Sequence, residues 1–151
     1  MPLTIRPVQN EDHTAWLPLW HAYIAFYKGS VSDAQTALTW QRILDPAHPL
    51  QAWVAEQDGV LLGFTHAFIH PSTWSDAGYC YLEDLFVSQT ARGQGVARQL
   101  IETCAAWAKT QRADQLYWLT QEDNHTARQL YDRVAQRSGF IHYKHAVGSC
   151  V

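Results

Sequence analysis

The segment Phe86–Leu100, FVSQTARGQGVARQL, changes its chemistry part-way along. It begins as the end of a β-favouring run, passes through Arg92-Gly93-Gln94-Gly95-Val96-Ala97, and continues at helical spacing. Glycines there let backbone N–H groups approach a ligand closely. The new helix offers unpaired N–H donors and the positive end of its dipole. Together these make an anion site suited to a pyrophosphate. A plain glycine-rich turn before a helix is the competing reading. A Rossmann fingerprint needs a small residue where Arg98 stands, and a P-loop needs Gly-Lys-Ser/Thr, which is absent.

Downstream, Val96, Leu100, Ile101, Cys104, Ala105 and Ala108 form a buried helical stripe. Leu116 to Thr120 reads as a strand, and Thr126 to Gln136 as a helix with Ala127, Leu130, Tyr131 and Val134 on one face. Phe140 to Val147 reads as a closing strand. Upstream, Tyr79 to Val87 is a strand and Pro71 to Gly78 a loop. Ala52 to Glu56 and Val60 to Ile69 are strands joined by a Gln57-Asp58-Gly59 hairpin turn. Ser32 opens a helix that must stop before Pro46. Before it, Trp16, Leu17, Trp20, Tyr23, Ile24 and Tyr27 recur at helical spacing after Asn10 or Asp12 as cap. Pro18 either kinks this helix or sits in the first turn of a restarted one. Leu3 to Val8 is a first strand. The order β-α-α-β-β-β-α-β-α-β predicts an α/β domain over residues 1–151, a mixed sheet with helices on both faces.

The 151 residues suffice for one domain with its own core. A net charge of -3 leaves no basic footprint for nucleic acid. No run approaches ~18 apolar residues, so no membrane span is expected. Cys80, Cys104 and Cys150 are an odd, sparse set, which points to reduced thiols in the cytoplasm; the first two fall on core positions. The Pro2–Asp12 start has no apolar signal core. The eight histidines form no metal-site spacing: His66 and His70 share a strand face but lie roughly 13 Å apart, and no metal is expected.

The wider pattern is more specific. Arg-x-x-Gly-x-Ala after a strand, then a helix, a strand and Asn124-x-x-Ala127-x-x-Leu130-Tyr131, resembles the GNAT acetyltransferases across roughly Tyr79 to Tyr143. Tyr81-Leu82-Glu83-Asp84-Leu85-Phe86-Val87 is similar to the polyamine and thialysine enzymes. Leu130-Tyr131-Asp132-Arg133-Val134 with Gly139-Phe140-Ile141 is similar to fungal histone and D-amino-acid acetyltransferases. The resemblance implies a mostly antiparallel sheet of about six to seven strands, with two splayed strands forming a slot for acetyl-CoA. It implies that Gly93, Gln94, Gly95, Val96 and Ala97 hold the pyrophosphate through main chain, with Arg92 and Arg98 as charge support. Leu85, Phe86 and Val87 should line the pantetheine slot beside a bulge, and Asn124 should contact the CoA arm.

Tyr131 reads as a core tyrosine on periodicity alone; the resemblance makes it the acid that protonates the departing thiolate. Glu83 is the candidate general base, because an attacking amine with pKa near ~10 must first lose a proton. In a regular strand Glu83 and Asp84 face opposite sides unless a bulge re-aims them, and both can instead be solvated or salt-bridged carboxylates. Asp84 is the candidate partner for substrate charge. Tyr27 and Trp74 are candidate borders of the amine pocket, with ordinary packing as the alternative. The expected function is direct acetyl transfer to a primary amine, preferentially a small polyamine- or lysine-like cation. A protein lysine, an amino acid, or a non-catalytic acyl-CoA-binding role are the alternatives. A short or borrowed last strand would leave a sheet edge for a homodimer.

Overall fold

The computed structural model describes residues 2–148. The elements are β1 (Thr4–Pro7), α1 (His13–Phe26), α2 (Asp33–Leu44), β2 (Gln51–Gln57), β3 (Val60–Ser72), β4 (Ser75–Val87), α3 (Val96–Thr110), β5 (Gln115–Tyr117) and α4 (His125–Val134). They fall into two units, Met1–Leu119 and Thr120–Val151.

The first unit is a five-stranded sheet in the order β1-β2-β3-β4-β5. The first four strands are antiparallel, and β5 lies parallel to β4. Asp58 and Gly59 both have positive φ, 54° and 78°, so a two-residue turn joins Gln57 directly to Val60. The expected loop at Pro71–Gly78 is instead strand: β3 runs to Ser72, β4 starts at Ser75, and only Thr73-Trp74 turns. Pro71 is tolerated because the register shifts between His70 and Ser72, where no ladder N–H is needed. Gly78 has φ +97°, and a Cβ there would strike the His70 carbonyl.

Two layers of helix cover the sheet. Trp16 and Trp20 of α1 and Trp40 of α2 pack with Val54, Phe64 and Phe86 on one face. On the other face α3 buries Val96, Leu100, Ile101, Cys104 and Ala108. Ala105, expected in that stripe, is exposed. Trp53 meets Trp107 on this side, next along β2 from Val54, as strand alternation requires. Cys80 and Cys104 are fully buried thiols with sulfurs 4.0 Å apart; Cys150 lies outside the described residues.

Pro18 falls well inside α1 and not in its first turn. An interior proline costs about 3 kcal/mol. Burying an indole returns at most about 4–6 kcal/mol, so Trp16 and Trp20 on either side outweigh it. Trp20 Nε1–H donates to Thr36 Oγ1 at 3.1 Å and ties α2 to α1. Ser32 caps α2 by accepting the Gln35 N–H.

The second unit contains α4, with Ala127, Leu130, Tyr131 and Val134 all half-buried on the expected face. Residues 135–148 form no strand, contrary to the expectation for Phe140–Val147. A strand needs a ladder partner for its N–H and C=O groups, and α4 is the only regular element among the described residues of this unit. Phe140, Ile141, Tyr143 and Val147 are exposed. Among the described residues the sheet has five strands, where about six to seven were expected. No helix among the described residues is long and apolar enough to cross a membrane.

Candidate active site

The β3–β4 ladder pairs His66 with Asp84 and then Ala67 with Leu82, which leaves Glu83 as the extra residue of a β-bulge. Its consequence is a change of phase along β4. Before the bulge, Cys80 faces α3; after it, Phe86 belongs to the α1 core. At the bulge itself, Glu83 and Asp84 both line one cleft of ≈ 470 Å³. Regular alternation would have sent them to opposite faces.

Three side chains, His66, Tyr23 and Thr65, lock Asp84, and Trp16 fixes His66 from behind. Trp16 Nε1–H donates to His66 Nε2 at 3.2 Å. An indole N–H cannot accept, so His66 Nε2 is the acceptor and the ring proton sits on Nδ1. Nδ1–H then donates to Asp84 Oδ2 at 2.9 Å, and Tyr23 O–H donates to Asp84 Oδ1 at 2.7 Å. Thr65 Oγ1–H donates to the Asp84 carbonyl at 2.8 Å. Burial, then the Asp84 charge, pushes the Tyr23 hydroxyl far above an ordinary phenol, so it stays a donor. Asp84 is thereby a fixed, doubly hydrogen-bonded carboxylate. Glu83 has no such clamp. Its side chain reaches solvent, and partial burial, then the Asp84 charge, push its carboxyl up, which suits it to take a proton.

The cleft's other wall comes from α2. Gln35, Thr39 and Arg42 share one face at i, i+4 and i+7, while Thr36 and Trp40 turn inward. Trp20, Phe68 and Leu50 supply apolar surface. Tyr27 ends α1, its ring against Tyr23 and Phe26. Trp74 sits at the tip of the β3–β4 hairpin, 88% exposed, and neither it nor Tyr27 is among the cleft's lining residues.

On the same strand, β5 pairs with β4 only from Tyr79 to Tyr81. Beyond that point the β5 side of Leu82–Val87 carries no ladder among the described residues, because β5 ends at Tyr117. Phe86 turns its ring into the core, so only its main chain faces this edge. The strand leads into the glycine loop, where Gly93 and Gly95 have φ of 80° and 79°. A Cβ at either would meet nothing within 4 Å, so these glycines are required by backbone angle and leave open space beside the α3 N-terminus. Gln94 is exposed, Ala97 half-buried, and the Val96 side chain buried beneath the turn. Arg92 lies 5.5 Å over the Phe26 ring, its Nε–H reaching the Val87 carbonyl. Arg98 pairs with Glu102 at 2.9 Å on the surface. An exposed pair of this kind holds by under ~1 kcal/mol and releases Arg98 easily to an anion. The loop fits a pyrophosphate.

In the second unit Asn124 precedes α4 and its Nδ2–H donates to Thr120 Oγ1 at 3.3 Å. Sequence reasoning missed Tyr23, His66 as a clamp, and the Gln35-Thr39-Arg42 face. Only the last had a legible signal, its polar i, i+4, i+7 spacing.

Residues 16–135 match the acetyltransferase (GNAT) family. The chain belongs to the GNAT acetyltransferases. It is similar to the D-amino-acid N-acetyltransferase HPA3 of Saccharomyces cerevisiae, 31% identical over 144 residues that cover 94% of this chain and 89% of that protein. An N-acetyltransferase, YhfO, of Bacillus subtilis is 31% identical over 143 residues, covering 93% of this chain and 95% of that one. Among solved structures, AAC(6')-Iy in complex with the bisubstrate analog CoA-S-monomethyl-acetylneamine shares the fold, with TM-score 0.82, 21% identity and coverage of 98% and 100%. This GNAT chain is an N-acetyltransferase acting on amines.

Proposed function

We propose that the chain transfers acetyl directly from acetyl-CoA to the primary amine of a small molecule held between α2 and the β4 bulge. The observation that carries this reading is the bulge at Glu83, which puts both carboxylates in one cleft. Glu83 accepts the amine proton, directly or through water, and Asp84 attracts the ammonium form before that. Acetyl-CoA supplies the activated thioester. The α3 N-terminus and Gly93–Ala97 amides hold its pyrophosphate, assisted by Arg92 and Arg98, and Leu85–Val87 main chain pairs with the pantetheine arm. A main-chain N–H at the bulge polarises the thioester carbonyl. Tyr131 protonates the departing sulfur and Asn124 contacts the CoA arm. Both roles are supported by the motif match. Residues 1–151 act as one catalytic domain.

The carboxylate pair supports a polyamine- or lysine-like acceptor. The similarity to a D-amino-acid acetyltransferase supports an amino acid. We also propose a homodimer, supported by the exposed Phe140, Ile141, Tyr143 and Val147 in a segment without a strand partner among the described residues of its own unit, and a cytoplasmic location, supported by the sparse cysteine set.

The test is CoA-thiol release against polyamines, lysine analogues, D- and L-amino acids and histone peptides. A small amine should be turned over with product acetylated at nitrogen. Turnover of histone peptides alone would contradict the reading.

A further inference from the structure

The cleft that holds two carboxylates on its β4 wall also holds cationic and donor groups on its α2 wall. Arg42 stands in the last turn of α2, and His48 lies in the loop that follows. Among the described residues no ion pair or side-chain hydrogen bond engages the Arg42 guanidinium. His48 Nδ1 accepts the Leu50 N–H at 3.1 Å, so the neutral ring carries its proton on Nε2 and offers it as a donor. Thr39 and Gln35, about one and two turns before Arg42, continue the polar face. A second ammonium, as in a polyamine, would meet a like charge here. A carboxylate would meet a planar fork of donors suited to it. Between the walls lie Trp20, Phe68 and Leu50, which suit an apolar side chain. The ≈ 470 Å³ volume falls within the ~300–1,000 Å³ of small-ligand sites.

We infer that the acceptor is an amino-carboxylate, an amine bearing its own carboxylate, and that Arg42 binds this carboxylate while Glu83 and Asp84 face the amine. The inference rests on the acetyl-transfer reading above and assigns it a substrate class and a specificity residue. Arg42 acts by positioning: it fixes the amine relative to Glu83 and takes no part in bond making. Arg42→Gln should fold, because the side chain is exposed and holds no partner.

The experiment compares, for each of several apolar amino acids in both enantiomers, kcat/KM with that of the matching amine whose carboxylate is replaced by hydrogen. The wild-type enzyme should favour the amino acid. In Arg42→Gln the ratio of the two should fall by about 10- to 100-fold, mostly through KM. Arg42→Lys, which keeps the charge without the fork, should lie between. An unchanged ratio, or an equal fall for both substrates, overturns the assignment. If no amine releases CoA, the acetyl-transfer reading fails separately, and calorimetry with the amino acid still decides this one. Weaker binding to Arg42→Gln than to wild type supports it. Equal binding, or none to the wild-type protein, overturns it.

Discussion

At the scale of the residue, the site turns on two adjacent carboxylates with different surroundings. Asp84 is clamped by His66 and Tyr23, and Glu83 is not. Glu83 has its pKa raised, so it stays protonated to higher pH than an ordinary carboxyl, and only its ionised form accepts a proton. The kcat/KM profile should therefore rise with pH through a value above the usual ~4.3 of a glutamate. Glu83→Gln should remove that limb, lower the rate at neutral pH by about 10²-fold, and recover partly in alkali as the amine itself loses its proton. A variant that keeps the wild-type profile would return Glu83 to a structural role. Asp84→Asn should act on KM, since it removes attraction for the ammonium. Tyr131→Phe keeps the ring, so kcat should fall by about 10²-fold with acetyl-CoA affinity unchanged; normal turnover where chemistry limits the rate would make Tyr131 a packing residue. At Gly95, φ of +79° is strained for any other residue, by ~1–2 kcal/mol. Gly95→Glu should leave a folded protein that no longer binds acetyl-CoA in calorimetry, because its carboxylate enters the anion site. Unchanged affinity would contradict the pyrophosphate assignment.

At the scale of the element, the parts set by local backbone chemistry were legible. The Asp58-Gly59 turn, the Ser32 cap, the α3 stripe and the glycine loop each follow from residues near one another in the chain. The bulge was not. It is a property of the pairing between β3 and β4, and Glu83-Asp84 looks like any two strand residues until Ala67 is seen opposite Leu82. The same holds for Arg42, whose role depends on what α2 faces. Trp74 shows the opposite failure, a large aromatic that suggested a pocket and stands exposed at a hairpin tip. One further element-scale feature is testable. Arg6 of β1 donates to both Asp12 oxygens, at 2.8 and 2.9 Å, and to Glu56 of β2 at 2.9 Å. Asp12 also accepts the Gln9 N–H and so fixes the turn into α1. The Arg6 hydrogen bond holds the Asp12 carboxyl below its ordinary value. A lowered carboxylate contributes stability that is present above the unfolded pKa near ~3.9 and is lost as pH falls through the folded value. Asp12→Asn should cost about 2–3 kcal/mol at neutral pH, between exposed and buried pairs, and flatten the loss of stability below about pH 4. Urea unfolding at neutral and acid pH measures both; equal acid sensitivity in the variant would contradict this account.

At the scale of the whole molecule, the first unit carries the sheet, the cleft with Glu83 and Asp84, and the glycine loop, and the second carries α4 with Tyr131 and Asn124. The closing strand anticipated at Phe140–Val147 is absent because strand formation needs a partner, and the described residues of its own unit hold none. Alternating apolar residues show that a segment can pair, and they do not supply the other strand. If those residues meet a second copy, Ile141→Asp should shift the protein towards monomer in light scattering, whereas an unchanged mass would leave the patch outside any interface. In the proposed reaction acetyl passes directly from acetyl-CoA to a small amine. This transfer is tested most directly by mixing the protein with isotopically labelled acetyl-CoA and an amino acid, then weighing both protein and amine by mass spectrometry during the first turnover. Label should appear on the amine nitrogen, with stoichiometric free CoA and a protein whose mass never rises. Label on the protein before the amine, or bound acetyl-CoA that no amine discharges, would contradict it.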